Sequence, residues 1–267
     1  MSESSRNTMK PLTVLVTGAS AGFGAAIARR FIAEGHRVIA AARRIDKLAA
    51  LRTELGAALL PVTLDVTDRQ AIEAMAASLP PDWAAIDVLV NNAGLALGLE
   101  PAHQASLEDW ERMVDTNIKG LMTMTRTILP GMVARGRGHV INLGSTAGEW
   151  PYPGGNTYGA TKAFVRQFTL NLRADLVGTG VRATDIEPGL CGGTEFSTTR
   201  FHGDQAKADA MYAGTEPLTA EDIADAVYWV ASRPARVNIN LLQLMPECQA
   251  IGPLVIKRQL ISGAGAN

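Results

Sequence analysis

Short apolar runs that alternate with helical stretches constrain the fold of this chain more than any other feature of its sequence. The runs are nearly continuous in apolar and β-branched residues, which is typical of parallel strands covered on both faces. They span residues 12–17, 38–42, 59–64, 86–90, 139–143 and 181–186, with a weaker run at 238–245. The sequence therefore predicts an α/β fold, a single Rossmann-type doubly wound parallel sheet of about seven strands with helices on both faces.

The helical stretches between these runs begin and end at recognisable signals. Gly35 and Gly56 follow the first two stretches, and glycine is favoured at this position past a helix end. Ser106 precedes Asp109 by three residues, the spacing of a capping box. The predicted helices cover residues 22–34, 45–55, 68–79, 106 to about 130, 156–177 and 219–231.

Length, composition and charge fit one large domain. The 267 residues are 47% hydrophobic, enough to bury a substantial core. The formal net charge of −1 creates no overall field that attracts nucleic acid or an anionic membrane. No run approaches the ~18 apolar residues of a membrane span. We expect a flexible tail at 1–10, one Rossmann-fold domain at 11–250 and a C-terminal tail at 251–267.

The polar N-terminus and the two cysteines indicate in which cellular compartment the protein is expected. Residues 1–10 lack the apolar core of a signal peptide. Cys191 and Cys248 indicate no disulfide framework, so we expect a cytoplasmic protein. A reactive Cys191 is the functional alternative, and no basic neighbour in the sequence supports it.

The first predicted strand leads directly into a glycine-rich loop at residues 17–24. Glycines in this loop let the backbone approach a pyrophosphate, and the helix that follows offers its positive N-terminus to the anion. The strand–loop–helix context favours a dinucleotide site over a tight turn without a ligand. The expected cofactor contacts here are Gly18, Ser20, Ala21, Gly22, Phe23 and Gly24.

The end of the second predicted strand indicates which dinucleotide binds. An acidic residue there usually holds the ribose hydroxyls of NAD. This chain has Arg43 and Arg44 instead, and guanidinium groups suit a 2′-phosphate. We therefore predict NADP(H). Asp65 and Val66, after the third strand, are expected beside the adenine, and Asp65 alternatively serves only as a helix cap.

Tyr158 and Lys162 are four residues apart on a predicted helix, so their side chains share one face. The pKa of a free tyrosine is about 10, and a nearby lysine cation lowers it. The pair would then exchange a proton with an alcohol or carbonyl oxygen near neutral pH. The structural alternative for this spacing alone is a half-buried tyrosine beside a solvated lysine.

Together these motifs resemble those of the short-chain dehydrogenase/reductase superfamily over residues 11–250. The motifs, in chain order, are Thr17-Gly18-x-x-x-Gly22-x-Gly24, Asn91-Asn92-Ala93-Gly94, Ser145 and Tyr158-x-x-x-Lys162. The chain is still more similar to the NADP-dependent 3-hydroxy acid dehydrogenases, a group that includes L-allo-threonine and serine dehydrogenases and malonic semialdehyde reductases. That closer likeness lies in residues 91–98, 144–148, 156–171, 185–190 and 192–196.

The resemblance implies four catalytic residues. Tyr158 would donate and accept the proton, and Lys162 would lower the pKa of Tyr158 and bind the nicotinamide ribose. Ser145 would orient the substrate oxygen, unless it only ends a strand in a Gly-Ser turn. Asn117 would hold a proton-relay water, unless it is a helix-interior amide that bonds to backbone.

The resemblance also implies further cofactor contacts. The segment Asn91, Asn92, Ala93 and Gly94 would line the adenosine side and steady the central strand. Either asparagine makes the contact, or both are structural. The loop that begins at Pro188 would flank the nicotinamide, with contacts from Pro188, Gly189, Leu190, Gly193, Thr194 and Phe196.

Two positions depart from the pattern of these relatives. Many NADP-using relatives have a basic residue where this chain has Ala21, so the two arginines must hold the 2′-phosphate alone. Cys191 replaces an expected aliphatic residue, which leaves the shape of the substrate pocket open on that side.

The substrate side is expected beyond the sixth strand. Residues 189–215 overhang the crevice there and predict a lid that closes over substrate. Ser145, Tyr158, Trp150 and Cys191 are the expected substrate contacts, although a packing role for Trp150 is an equal alternative. The candidate cations for a substrate carboxylate are Arg200, His202 and Lys207 on the lid and Lys257 and Arg258 on the tail.

These features favour an NADP-dependent oxidoreductase acting on a small 3-hydroxy acid or its 3-oxo acid or semialdehyde, in the class of serine, L-allo-threonine, 3-hydroxyisobutyrate and malonic semialdehyde. A broad NADPH-dependent carbonyl or ketone reductase is the alternative. A non-catalytic NADP(H) sensor is a third, disfavoured because Ser145, Tyr158 and Lys162 are all present. We expect no metal site, no nucleic-acid partner and no membrane partner. Relatives commonly form tetramers through helices near 106–130 and 156–177, so a homotetramer is predicted.

Overall fold

The computed structural model describes residues 10–252. Seven parallel strands form one sheet in the order β3-β2-β1-β4-β5-β6-β7. Their bounds are β1 Thr13–Thr17, β2 Arg37–Ala42, β3 Leu59–Thr63, β4 Val88–Asn91, β5 Gly138–Leu143, β6 Val181–Pro188 and β7 Leu241–Leu244. The predicted doubly wound parallel sheet is confirmed, including the weaker seventh strand.

Helices connect successive strands and cover both faces of the sheet. Their bounds are α1 Gly22–Ala33, α2 Ile45–Leu55, α3 Arg69–Ser78, α4 Leu107–Val114, α5 Leu121–Ala134, α6 Asn156–Asp175, α7 Phe196–Arg200, α8 Gln205–Tyr212 and α9 Ala220–Ala231. A π-helical turn at Asp115–Gly120 joins α4 to α5. Both α7 and α8 lie within the predicted lid, where no helical periodicity is visible in the sequence.

Alternate residues of the strands feed two separate apolar layers. Val14 and Val16 of β1 pack with Phe31 of α1 and Val227 of α9 on one side of the sheet. Leu15 packs on the opposite side in the layer that contains α3, α5 and the end of α6. Because successive side chains of a strand point to opposite faces, apolar layers on both sides require apolar residues at every position.

Packing sets the C-terminal end of α5, and side-chain capping sets the N-terminus of α9. The predicted helix ending near Pro130 instead continues to Ala134. Proline removes one backbone hydrogen bond, but buried Ile128 and Met132 anchor the helix on either side of it. At the N-terminus of α9, Thr219 and Asp222 form a complete capping box.

The strand order fixes where a ligand can bind. The sheet grows in opposite directions from β1 and β4, which lie side by side. The loops leaving these two strands diverge to opposite faces and open a crevice at the carboxyl ends of the strands. The predicted tails at 1–10 and 251–267 lie almost entirely outside the described residues, so the domain bounds remain a prediction.

Candidate active site

A cavity of about 820 Å³ occupies this crevice. Most of the predicted site residues line it: Gly18, Ser20, Ala21, Gly22, Phe23, Arg43, Arg44, Asp65, Val66, Asn92, Ala93, Gly94, Ser145, Trp150, Tyr158, Lys162, Pro188, Gly189, Leu190, Cys191, Thr194 and Phe196. Within the described part of the chain, four predicted residues lie off its walls: Gly24, Asn91, Asn117 and Gly193. The structure therefore brings the loops that follow six strands, β1 to β6, around one cavity.

The glycine loop has the form of an anion cradle. Gly18 has φ +66°, and a Cβ there would lie 2.9 Å from Asn92 Nδ2 and 3.0 Å from Ala93 Cα. The N-cap of α1 is Ala21, which makes no side-chain capping hydrogen bond, and the first turn of α1 contains no acidic residue. The first backbone N–H groups of α1 are therefore free to meet a phosphate.

Gly24 and Asn91, both predicted to contact the cofactor, pack within the protein near this loop and do not line the cavity. Gly24 packs so tightly that a Cβ would collide with the carbonyl oxygen of Gly18. Asn91 is buried, and its Nδ2 donates to Thr125 Oγ1 at 2.9 Å and Asn142 Oδ1 at 2.8 Å. Neither residue lines the cavity, and both make close contacts within the protein, so their contact with the cofactor stays a prediction.

Asn92 is the asparagine that reaches the cavity. Its Nδ2 donates to Thr17 O at 2.8 Å, and its backbone N–H donates to Thr17 Oγ1 at 3.0 Å. These bonds join the loop after β4 to the end of β1. They hold the two sides of the crevice in a fixed relative position. Of the two asparagines, Asn92 is the one placed to contact a cofactor, and that contact stays a prediction.

The two arginines lie at the end of the cavity beside the glycine loop. Arg44 Nη2 lies 2.8 Å from Glu195 Oε2, and the Arg44 guanidinium also donates to Ser20 Oγ. Both members of this ion pair are about half exposed, so it contributes at most ~1 kcal/mol and can exchange for a stronger phosphate contact. Glu195 belongs to the lid, so the pair spans the crevice.

Asp65 and Val66 line the cavity next to this end. Asp65 Oδ1 accepts from the Thr67 N–H at 2.9 Å and from Thr67 Oγ1 at 2.8 Å. The cap of α3 is Asp68, which accepts from the Ala71 N–H. Asp65 therefore shapes the turn beside the cavity and is not the helix cap.

Ser145, Tyr158 and Lys162 meet at the opposite end of the cavity. Tyr158 and Lys162 project from α6, and Lys162 Nζ lies 5.8 Å from the centre of the Tyr158 ring. Lys162 Nζ donates to the carbonyl oxygen of Leu143 at 2.6 Å. Ser145 Oγ accepts from the Ala147 N–H at 3.1 Å. The residues expected to do acid–base chemistry thus share the cavity with the anion cradle.

The electrostatics of this pair differ from the expectation. Burial raises the pKa of Tyr158 to about 12, and this outweighs the opposing effect of the Arg200 cation. Burial also lowers the pKa of Lys162 to about 8, against the opposing charge of Asp185. In the protein alone Tyr158 is therefore a protonated acid. The expected lowering of its pKa by Lys162 is absent from this state of the protein.

Asn117 lies in the π-helical turn, a feature that often marks functional sites. Its Nδ2 donates to Leu95 O and Thr161 Oγ1, and its Oδ1 accepts from the Leu95 N–H. The side-chain amide is bonded within the protein and lies off the cavity, where it supports the loop at residues 94–95. The role of Asn117 in holding a proton-relay water stays a prediction.

The predicted lid carries a buried cation beside Tyr158. Arg200 of α7 is 6% exposed, and its Cζ lies 5.2 Å from the centre of the Tyr158 ring. Phe196 also packs on Tyr158, edge to face, at 5.9 Å between ring centres. The other candidate cations on the lid point elsewhere, since His202 pairs with Asp109 and Lys207 with Asp204.

Cys191 and Trp150 line the cavity as predicted for the substrate side. Burial raises the pKa of the Cys191 thiol to about 12, so the thiol stays protonated near neutral pH, which disfavours the reactive alternative. Lys257 and Arg258, the tail candidates for a carboxylate, lie outside the described residues.

Several wall residues were not predicted from the sequence, and three of them make contacts that shape the cavity. Tyr152, which receives a hydrogen bond from Arg200, stands close to Trp150 in the sequence, and that proximity was the available signal. Glu195 is an ordinary lid carboxylate by sequence. Gln249 accepts from the Leu190 N–H at 2.6 Å and reaches the cavity from beyond β7, with no signal in the sequence.

The described residues lack two other kinds of feature. No group of three or more His, Cys, Asp or Glu side chains within residues 10–252 is arranged to hold a metal ion. No helix in the same range has the length and apolar character needed to cross a membrane.

Comparison with known proteins agrees with the geometry. The short chain dehydrogenase family matches residues 12–205. The NADP-dependent 3-hydroxy acid dehydrogenase YdfG of Salmonella typhi is 65% identical over 247 residues, covering 92% of this chain and 100% of that protein. The serine 3-dehydrogenase of Agrobacterium fabrum is 52% identical over 247 residues, covering 92% and 98%. The closed form of a serine dehydrogenase complexed with NADP+ matches with a TM-score of 0.90 and 63% identity, covering 93% of this chain and all of that one.

Proposed function

The chain belongs to the short-chain dehydrogenase family, and from that membership we propose that it is an NADP-dependent oxidoreductase of small 3-hydroxy acids. It interconverts the 3-hydroxy acid and the 3-oxo acid or semialdehyde, in the class of serine, L-allo-threonine, 3-hydroxyisobutyrate and malonic semialdehyde. The observation that carries the proposal is the meeting of Ser145, Tyr158 and Lys162 in the cavity that the glycine loop also lines.

The residues at the glycine-loop end fit NADP(H). The free N-terminus of α1 and the Cβ-free surface of Gly18 and Gly22 suit the pyrophosphate. Arg43 and Arg44 line the same end and suit the 2′-phosphate. When bound, the nicotinamide supplies the hydride chemistry. The protein positions the substrate and moves one proton.

Tyr158 moves that proton. In the reductive direction it begins as the protonated phenol that its raised pKa favours, and it donates to the substrate carbonyl oxygen. The Ser145 hydroxyl, which lines the same wall, holds that oxygen in place. In the oxidative direction Tyr158 accepts the alcohol proton. The Arg200 cation, 5.2 Å from its ring centre, stabilises the phenolate that precedes this step.

A coupled substrate and variant assay tests this function. With saturating NADP+, L-serine, L-allo-threonine and 3-hydroxyisobutyrate should have higher kcat/KM than their methyl esters. Tyr158→Phe should lower turnover by about 100-fold or more and leave NADP+ binding largely unchanged, because only the hydroxyl is removed. A preference for esters or bulky aryl ketones would instead favour a broad carbonyl reductase. Near-normal turnover by the Phe variant would exclude Tyr158 as the proton-transfer residue.

We further propose a homotetramer in the cytoplasm. Leu107 and Met122, on α4 and α5, are exposed large apolar side chains, as is Val177 after α6, and these support pairing through the helices near 106–130 and 156–177. Cys191 and Cys248 are both free thiols, which supports a reducing compartment.

A further inference from the structure

Arg200 is a buried cation without a carboxylate partner. It is 6% exposed, and among residues 10–252 no Asp or Glu oxygen lies within 4.0 Å of its guanidinium. Its Nε is buried and has no acceptor in the described chain. Buried charges are normally paired, since an isolated one costs far more than a hydrogen-bonded ion pair. The Arg200 guanidinium therefore lacks the anionic partner that a buried cation normally has.

The surroundings of Arg200 hold its guanidinium at the reacting end of the cavity. Nη2 donates to the Tyr152 hydroxyl at 3.0 Å, which fixes one edge of the guanidinium group. Its Cζ lies 5.2 Å from the Tyr158 ring centre and 5.4 Å from that of Phe196. These contacts orient the group beside the proton donor and leave other N–H groups for a ligand.

The other cations on the cavity wall either have a partner within the protein or lie at the glycine-loop end, away from Tyr158. Lys162 donates to Leu143 O beneath Tyr158. Arg44 pairs with Glu195 at the glycine-loop end, and Arg43 lies beside it in the sequence. Among the described residues, Arg200 is thus the wall cation that lies next to Tyr158 and has an N–H group without an acceptor.

We propose that Arg200 binds the carboxylate of the substrate, an assignment that rests on the function proposed above. The planar guanidinium accommodates the two carboxylate oxygens, and Tyr152 holds it in that orientation. A 3-hydroxy acid held in this way presents its hydroxyl to Tyr158. Because Arg200 belongs to the lid helix α7, the substrate carboxylate also anchors the lid over the reacting atoms.

The test compares each acid with its methyl ester, with 3-hydroxyisobutyrate as the main pair. Arg200→Gln should lower kcat/KM for the acid by about 10- to 100-fold more than for the ester, the range expected for a charged hydrogen-bonded contact. The NADP+ dissociation constant should not change. Lys207→Gln is the matched control, since Lys207 is a lid cation that pairs with Asp204 at the surface, and it should behave as wild type.

Two further variants keep the test decisive if Arg200→Gln folds poorly. Arg200→Lys retains the charge but loses the planar fork, so the acid should still lose activity several-fold while the ester does not. Tyr152→Phe should give a smaller loss, also confined to the acid. Parallel losses on acid and ester would overturn the assignment and leave Arg200 as a packing residue against Tyr158 and Phe196. The wild-type protein tests the proposed function separately, because it must prefer the acids whatever the variants do.

Discussion

At the scale of single residues, Asp185 dominates the expected response of the fold to pH. It is fully buried on β6, and burial together with the nearby Glu187 carboxylate raises the pKa of Asp185 from 3.8 to about 8. Between these values the folded protein holds a proton that the unfolded chain has released. The free energy of unfolding should therefore fall as pH rises from about 4 to 8, by on the order of 1 kcal/mol per pH unit.

Asp185→Asn should remove this slope and be more stable than wild type near pH 8. Urea unfolding at several pH values and one protomer concentration measures the difference. Asp175→Asn, at the exposed end of α6, is the control and should run parallel to wild type. A curve for Asp185→Asn that runs parallel to wild type would contradict the assignment.

The pKa shifts of Lys162 and Tyr158 affect stability in other pH ranges. The contribution of Lys162 to the free energy of unfolding rises between about pH 8 and 10.5, and that of Tyr158 falls between about pH 10 and 12.

Site residues were predictable from the sequence where their spacing alone brings them together. Their burial, contacts and pKa values were not predictable. Tyr158 and Lys162 share a helix face at i and i+4, which needs no tertiary information. Whether Asn91 or Asn92 faces the cavity depends on strand ends that only the folded sheet defines. Likewise, the raised pKa of Tyr158 follows from burial under Phe196 and Arg200, residues about forty positions away.

At the scale of elements, the strands were predictable because both sheet faces are apolar, whereas the lid was not. The short helices α7 and α8 bury few apolar residues, so they leave no helical period in residues 189–215. The π-helical turn between α4 and α5 is similarly invisible in the sequence. It arises from packing around buried Asn117 and Gly120, where a Cβ would meet Val66 O at 2.8 Å.

The junction of β2 and α2 should determine the choice of coenzyme. Arg43 and Arg44 stand where an acidic residue would hold the ribose of NAD. Replacing both by neutral residues should weaken NADP+ binding by about 100-fold or more and leave NAD+ binding nearly unchanged, because each phosphate contact contributes roughly 1.5–3 kcal/mol. Dissociation constants for both coenzymes measure this directly.

A variant of Glu195, the ion-pair partner of Arg44, tests the same role in coenzyme choice. Its carboxylate pairs with Arg44 and would stand beside the 2′-phosphate. Glu195→Gln should therefore tighten NADP+ binding modestly without the same effect on NAD+. Equal use of NAD+ and NADP+ by the wild-type protein would contradict the role given to both arginines.

At the scale of the whole molecule, the exposed apolar side chains make the assembly testable. Leu107 on α4 and Met122 on α5 are 66% and 42% exposed, and both lie in the region expected to pair between subunits. Large apolar side chains grouped on two consecutive helices are more typical of an interface than of free surface. Light scattering after size-exclusion chromatography should give about four times the 28.3 kDa chain mass.

Met122→Asp should break that assembly, because a tightly packed apolar contact cannot accept an unpaired carboxylate without losing several kcal/mol. The matched control is Ile45→Asp, since Ile45 is 54% exposed on α2, beside the glycine-loop end and away from the predicted contact helices. The control should keep the wild-type mass. A tetramer that survives Met122→Asp but not Ile45→Asp would place the subunit contact on the coenzyme side of the sheet. Because Tyr158 and Lys162 project from α6, which packs against α4, loss of the tetramer should also lower turnover more than it lowers NADP+ binding.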